Sequence, residues 1–453
     1  MVMPMCRTLV SLAIAAIILA AGLTAAACSS AATTETSGAG SGLPSQTTAT
    51  SSGEASGTGS TSEAHASLAT TSVWSANGGL FDDSVVHDTS ALFAQEDYDA
   101  MIQTYKSSGV KDWLEATVTI DGTTYQNVGI RLKGNSSIRG LMDGRTGGPG
   151  GNVSAAKPEG LPWLIRLDKN VDGQNHDGIT EFVIRPNNSK TSLNEAVSLE
   201  LLQMAGLASQ KATPVSFSVN GSGGVLRLAT ENPDDAWRAE HFSDGGALYK
   251  AESTGDYSYR GDDPDSYADV FDQEAGKDDL DPTPLIQFLG FVNNADDATF
   301  NSALSDRLDI ESFATYLAME ELIGNFDDID GPGNNSYLYY DPASGRFTVV
   351  PWDHNLAFGG MGGGGGGPRA GVPAGGPRGK SNLLVQRFHA NTEFEALYQQ
   401  RLTELKTQVY ESGAAAEVLA EWVTVLKTHA SDLVDPATVD GEAAKITAYF
   451  QAG

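Results

Sequence analysis

The chain predicts an α+β fold in two lobes, a β-rich N-terminal lobe followed by a helical C-terminal lobe, and three observations carry this. Residues 113–120 and 123–132 alternate apolar and polar side chains on either side of Asp121-Gly122, a turn pair that closes hairpins. Residues 213–219 and 225–229 repeat the arrangement around the glycine-rich turn 220–224. Beyond residue 285 the apolar spacing lengthens to three and four, as in 309–322, which is the period of a helix burying one face.

The other elements follow in order. Residues 80–87 read as a strand and 91–107 as an amphipathic helix. Residues 140–160 read as a glycine-rich loop, 163–167 as a strand, 182–188 as a strand and turn, and 192–205 as a helix stopped by Gly206. Residues 246–252 form a strand, and the acidic stretch 256–281 reads as a surface loop. Helices are expected at 285–293, 309–322, 383–389, 394–410 and 414–433. Residues 168–178 open like a calcium-binding EF-hand loop, with Asp168, Asn170, Asp172 and Gly173, but Ile179 stands where the bidentate glutamate belongs, so an ordinary connection is expected.

Ahead of this domain, Arg7 precedes the apolar run 9–23, which ends in small residues before Cys28, the pattern of an export signal over residues 1–28. Cys28 sits where a bacterial lipoprotein is cleaved and lipidated; a simple cleaved signal and an uncleaved anchor are the alternatives. Residues 29–71 are rich in Ser, Thr, Gly and Ala and cannot bury enough apolar surface to offset the entropy of ordering, so they read as a flexible tether. The folded domain then spans 72–453, with one lobe at about 72–252 and a second at about 253–453 that carries a glycine-rich insert, 360–379, bordering the site. The only cysteines are Cys6 and Cys28, which leaves the domain without disulfides or a thiol nucleophile.

A formal charge of -30 excludes nucleic acid as a partner, because phosphate backbones demand basic stripes. It also means that any anionic ligand must be met by basic residues gathered locally.

Chemistry concentrates at 325–359. Residues 325–335 hold three acids, three asparagines and two glycines, then run into the aromatic strand 336–340. A Pro/Gly turn at 341–345 leads back through 346–350 to Pro351-Trp352-Asp353. A hairpin brings the residues before its first strand and after its second to one end, so Asp328, Asp330 and Asn335 are expected to face Asp353 and Asn355. Such an all-oxygen cluster suits a hard cation such as magnesium, and the cargo of that cation is phosphate. The plainer alternative is an acidic surface loop with Asx turns holding structural calcium. A second constellation, Val128-Gly-Ile-Arg131-Leu-Lys133-Gly134-Asn-Ser136-Ser137, offers amides, hydroxyls and two positive charges as a phosphate cradle, or else a solvated strand face.

These residues resemble the CotH family, the kinases related to spore coat protein H. The resemblance rests on the Asn-rich loop, the Tyr337-Leu-Tyr339 strand, Pro351-Trp-Asp353 with Phe358-Gly359 after four residues, and the Gly129-x-Arg131-x-Lys133-Gly134-x-Ser136 pattern. It implies a diverged protein-kinase-like fold and ATP-dependent phosphoryl transfer with Mg2+ or Mn2+. By that likeness Asp330, or Asp328, is the catalytic base, Asn335 and Asp353 hold the metal, and Arg131, Lys133, Gly134, Ser136 and Ser137 take the nucleotide. Gly246-Ala-Leu-Tyr-Lys250 resembles the family's Leu-Tyr-Lys strand, which makes Lys250 the candidate for the nucleotide lysine, with a salt bridge to Glu252 as its alternative. The helix 192–205 would lie behind the nucleotide, with Glu195 and Glu200 open as partners for that lysine. The implied protein is an exported, lipid-anchored kinase on the outer face of the membrane, or secreted. It would act on Ser or Thr of an envelope or secreted protein, with a non-catalytic surface or coat-assembly role as the alternative.

Overall fold

A computed structural model describes residues 78–452 except 144–152, 243–244, 253–255, 278–280, 332–334 and 360–381. The expected export signal with Cys28, the tether 29–71 and the insert 360–379 lie outside the described residues.

The first half contains β1 (His87–Leu92), α1 (Gln95–Ser108), β2 (Leu114–Ile120), β3 (Thr123–Leu132), the short α2 (Gly140–Asp143), β4 (Trp163–Arg166), β5 (Glu181–Ile184), α3 (Leu193–Met204), β6 (Ala212–Val219) and β7 (Val225–Glu231). Its seven strands form a closed barrel in the order β1-β2-β3-β4-β5-β7-β6. All neighbours run antiparallel except at the seam, where β1 and β6 pair in parallel, Thr89 opposite Phe217. β2 to β7 match the sequence reading, whereas the strand expected at 80–87 lies later, at 87–92, after a run of turns, and the helix expected from 91 starts at Gln95; closure into a barrel does not follow from the sequence reading. Alternation places Val118, Ile120, Val128, Ile130, Phe182 and Phe217 in one apolar core. α1 covers this core with Tyr98, Met101, Ile102 and Tyr105, spaced three, four and seven as a buried helix face requires, and ends at Gly109 with φ +77°.

The second half contains α4 (Asp235–His241), β8 (Ala247–Ala251), β9 (Phe271–Ala275), α5 (Thr283–Asn294), α6 (Asp297–Ala303), α7 (Ile310–Ile323), β10 (Ser336–Asp341), β11 (Arg346–Pro351), α8 (Leu383–Ala390), α9 (Thr392–Leu405), α10 (Ala414–His429) and α11 (Pro436–Ala452). A second sheet runs β11-β10-β8-β9. β9 lies inside the acidic stretch expected to be a loop; Phe271, Gln273 and Ala275 point inward while Asp272 points out, and pairing with β8 compensates a weak local pattern. The helices and α3 share a large apolar core with one side of this sheet, and Trp237, Tyr337, Tyr339, Val350 and Trp352 form a small one on its other side.

Two features of this half place the site. The register Ser336 opposite Pro351 brings the residues preceding β10 and following β11 to one end, and Tyr337 opposite Lys250 puts β8 at the same end. α7 is capped by Asp309, whose carboxylate accepts from the Ser312 amide, and stops at Gly324 with φ +62°, delivering the acidic loop directly.

Candidate active site

The two acidic loops are clamped by one buried side chain. Glu320, in the last turn of α7, accepts from Asn325 Nδ2 and from His354 Nε2, each at 2.9 Å, so the start of the 325–335 loop and the residue after Asp353 share an anchor. Asp353 itself has φ +65° and Phe358 φ +55°, left-handed conformations that a non-glycine residue holds only when its surroundings over-determine it. The surroundings do so here. Asp353 Oδ1 accepts from Arg185 and from Asn355 Nδ2, while the Asn355 carbonyl accepts from Asn194 Nδ2 at 2.6 Å.

Arg185 is buried between Asp353 and Glu195, and its ion pair to Glu195 is 2.6 Å long. Burial opposes its charge, but Glu195 and Asp353 outweigh burial and raise the guanidinium above its ordinary range. Glu195 therefore partners an arginine of the acidic site, and no basic residue of the cradle. Glu200 faces the other way and accepts from Trp422 Nε1 at 3.0 Å.

Among the three acids of the loop, Asp327 is the one set against Asn335 and Asp353. Asn335 Nδ2 donates to Asp327 Oδ2 at 2.9 Å, and burial followed by the charge of Asp353 raises the Asp327 carboxyl. The hairpin reasoning placed Asp328 and Asp330 there instead. Asp328 is turned inward because its Oδ1 closes the loop, accepting from the amides of Asp330 at 3.0 Å and Gly331 at 2.8 Å. Burial, Glu320 and Asp330 together push the Asp328 carboxyl well up. Asp330 is buried in the field of Asp328 and of Tyr398 on α9. Spacing could not distinguish three acids in four residues, and nothing in the sequence singled out Asp327.

The basic residues gather at the neighbouring barrel strand. Lys133, just after β3, is half-buried, donates to Asn232 Oδ1 at 3.0 Å and lies 5.8 Å from the Trp352 ring centre. Burial lowers its pKa; Glu274 and Glu181 oppose this, and Lys250 and Arg131 add to it. Lys250 pairs with Glu252 at 3.1 Å. Arg131 stacks on Trp113 at 5.0 Å, and its Nε is buried without a partner. Gly134, at φ +91°, lies where an added Cβ would collide with Ser137 Oγ, so glycine is required at that close approach; Ser136 and Ser137 open a single 3-10 turn. Asp168, which the EF-hand likeness singled out, is paired with Arg166 at 2.8 Å.

Among the described residues no three His, Cys, Asp or Glu side chains gather to hold a metal. The oxygens at hand are the carboxylates of Asp353 and Asp327 and the amide oxygen of Asn335. Two neighbouring carboxylates with an amide oxygen beside them fit a hard cation of the magnesium type. Such an ion keeps much of its water and shares phosphate oxygens, and so needs only one or two carboxylates.

The fold and site define an α+β protein in which a hairpin holds paired acids beside a basic barrel strand. Residues 130–434 match the CotH kinase protein family, more than half of the chain, and the chain belongs to that family. It is also similar to the inner spore coat protein H of Bacillus subtilis (strain 168), 24% identical over 172 residues, which cover 37% of this chain and 46% of that relative. The match thus spans less than half the relative's length. Among the described residues no helix is long and apolar enough to cross a membrane.

Proposed function

We propose that this chain is an exported atypical protein kinase that moves the γ-phosphoryl group of ATP to a Ser or Thr hydroxyl of an envelope or secreted protein. The barrel serves as the β-rich lobe and the helices as the second lobe of a diverged kinase-like arrangement. The observation that carries the reading is that Trp352 is shared by a basic and an acidic set. Lys133 and Arg185 both lie over its ring, at 5.8 and 5.4 Å; Lys133 is neighboured by Lys250 and Arg131, and Arg185 is paired with Asp353, next to Asp327 and Asn335. A triphosphate carrying a divalent ion needs both in reach at once.

In this reading Asp353 and Asn335 hold the magnesium or manganese ion, which neutralises charge on the phosphates when bound. Lys133, Arg131 and Lys250 face the phosphates, with Gly134, Ser136 and Ser137 as their supports. One carboxylate of the 327–330 loop orients the acceptor hydroxyl and takes its proton as oxygen joins the γ-phosphorus and ADP leaves. Asp327 is the best placed; Asp330 and Asp328 are the other candidates. Since the reaction depends on positioning more than on covalent help, the Glu320 clamp and the Arg185–Glu195 pair do much of the protein's part.

A second reading, a non-catalytic surface or coat-assembly role, is favoured by Arg185 already neutralising Asp353 and by the relative's name. Transfer of label from γ-labelled ATP by wild type, Asp327→Asn, Asp328→Asn, Asp330→Asn and Asp353→Asn separates them. A kinase loses transfer by at least about a hundredfold in Asp353→Asn and in one of the three loop variants. No transfer by wild type with any divalent ion, or equal labelling in all variants, removes the kinase reading. For export, Cys28→Ala should release a lipidated protein from membranes, and retention there would indicate an uncleaved anchor.

A further inference from the structure

The basic residues beside the cleft are not equivalent. Lys250 is neutralised by Glu252, and Lys133 lies in the opposing fields of Glu274 and Glu181. Among the described residues neither Lys133 nor Arg131 has a carboxylate within ion-pair distance, but Lys133 donates to Asn232 Oδ1 whereas the buried Nε of Arg131 has no partner. A fourth cation belongs with it. Lys111 precedes β2, and because Leu114 pairs with Ile130, the antiparallel register carried backwards sets Trp113 beside Arg131 and Lys111 beside Lys133. Its Nζ donates to Asn135 Oδ1 at 2.7 Å, and among the described residues it too has no carboxylate in ion-pair range. Burial, then the charges of Lys133 and Arg131, bring its pKa down to about 8, with Glu252, reached through Asn135, opposing and Lys250 adding to this. Gathering cations that have no ion pairs of their own is costly unless an anion completes them.

We propose that Lys111 and Arg131 are the primary anion contacts of the cleft, taking the phosphate oxygens of a nucleoside triphosphate, while Lys133, held by Asn232, and Lys250, paired with Glu252, act as supports. The inference rests on the kinase reading and deepens it. Lys111 lies outside the family-matched residues 130–434, in the segment leading into β2. The ligand class follows from two separate cations on neighbouring chain segments, which suit a chain of phosphates better than a single phosphate.

Calorimetric titration of the full chain with Mg·ATP, Mg·tripolyphosphate and inorganic phosphate tests this on wild type, Lys111→Ala, Lys111→Arg and Lys250→Ala. Lys111→Ala should weaken ATP and tripolyphosphate by the same factor, about tenfold or more, while Lys111→Arg stays within about threefold of wild type and Lys250→Ala loses less than Lys111→Ala. Lys111→Arg keeps the charge, so recovery there shows that the alanine variant lost a contact and not its fold. Wild type that binds while Lys111→Ala binds ATP equally well overturns this inference and leaves the nucleotide reading standing. Wild type that binds neither ATP nor tripolyphosphate overturns both.

Discussion

Glu200→Gln should stabilise the protein in alkaline solution and leave it unchanged in acid. Glu200 is 1% exposed on α3, and its carboxylate accepts from Trp422 Nε1 on α10. Burial pushes its pKa up to about 7 from an ordinary 4.5; the Trp422 hydrogen bond offsets part of this, and Asp83 and Glu421 add to it. Because the folded pKa lies above the unfolded one, the stability that the protonated form contributes is complete below about pH 4.5, falls as pH rises, and is gone once pH has passed about 7. At about 1.4 kcal/mol per unit the gap corresponds to about 3 kcal/mol as an upper limit. Glutamine keeps an acceptor for the indole and carries no charge, so the variant should gain about 1–3 kcal/mol at pH 8. Glu231 is also raised to about 7 by burial, with Lys211 opposing, so only the difference between variant and wild type isolates Glu200. Urea unfolding at pH 5, 6, 7 and 8, followed by tryptophan fluorescence, measures that difference. A gain that is the same at all four pH values, or a loss at pH 8, refutes the reasoning.

Other substitutions test the support of the site. Asp328→Ala strips the acceptor from the Asp330 and Gly331 amides and should cost about 1–3 kcal/mol in denaturant unfolding, whatever its effect on catalysis. Arg185→Met leaves Glu195 buried and unpaired, a loss of about 3–5 kcal/mol, whereas Arg185→Met with Glu195→Met should recover most of it while ATP-dependent labelling stays absent. A double variant no more stable than the single one would show that the buried charge is not the cause. Glu442 on α11 accepts from the amides of Lys190 at 3.0 Å and Thr191 at 3.1 Å, so Glu442→Ala should speed hydrogen exchange of those amides at least tenfold.

What could be read from the chain is uneven for physical reasons. Hairpins announce themselves locally, so β2–β3, β6–β7 and β10–β11 were legible from alternation and turn residues. The β1–β6 seam joins residues more than a hundred positions apart and leaves no local mark, so the barrel was not. α11 was missed because 436–452 mixes Ala, Thr and Gly, with only a weak apolar stripe. At the site, residue types and spacing located the acids and the basic strand, but which acid points where depends on one Asx turn. Likewise Lys250 and Lys133 look alike in sequence, and only the fold pairs the first with Glu252 and the second with Asn232.

The parallel seam has a practical side. A fragment trimmed to the family-matched 130–434 would begin within β3 and lose β1 and β2, baring one flank of β6 and one of what remained of β3. Unpaired flanks of that kind recruit other chains. It would also end short of α11, whose Glu442 secures the turn leading into α3. Such a fragment should be recovered as aggregate, and its inactivity would say nothing about the residues it keeps.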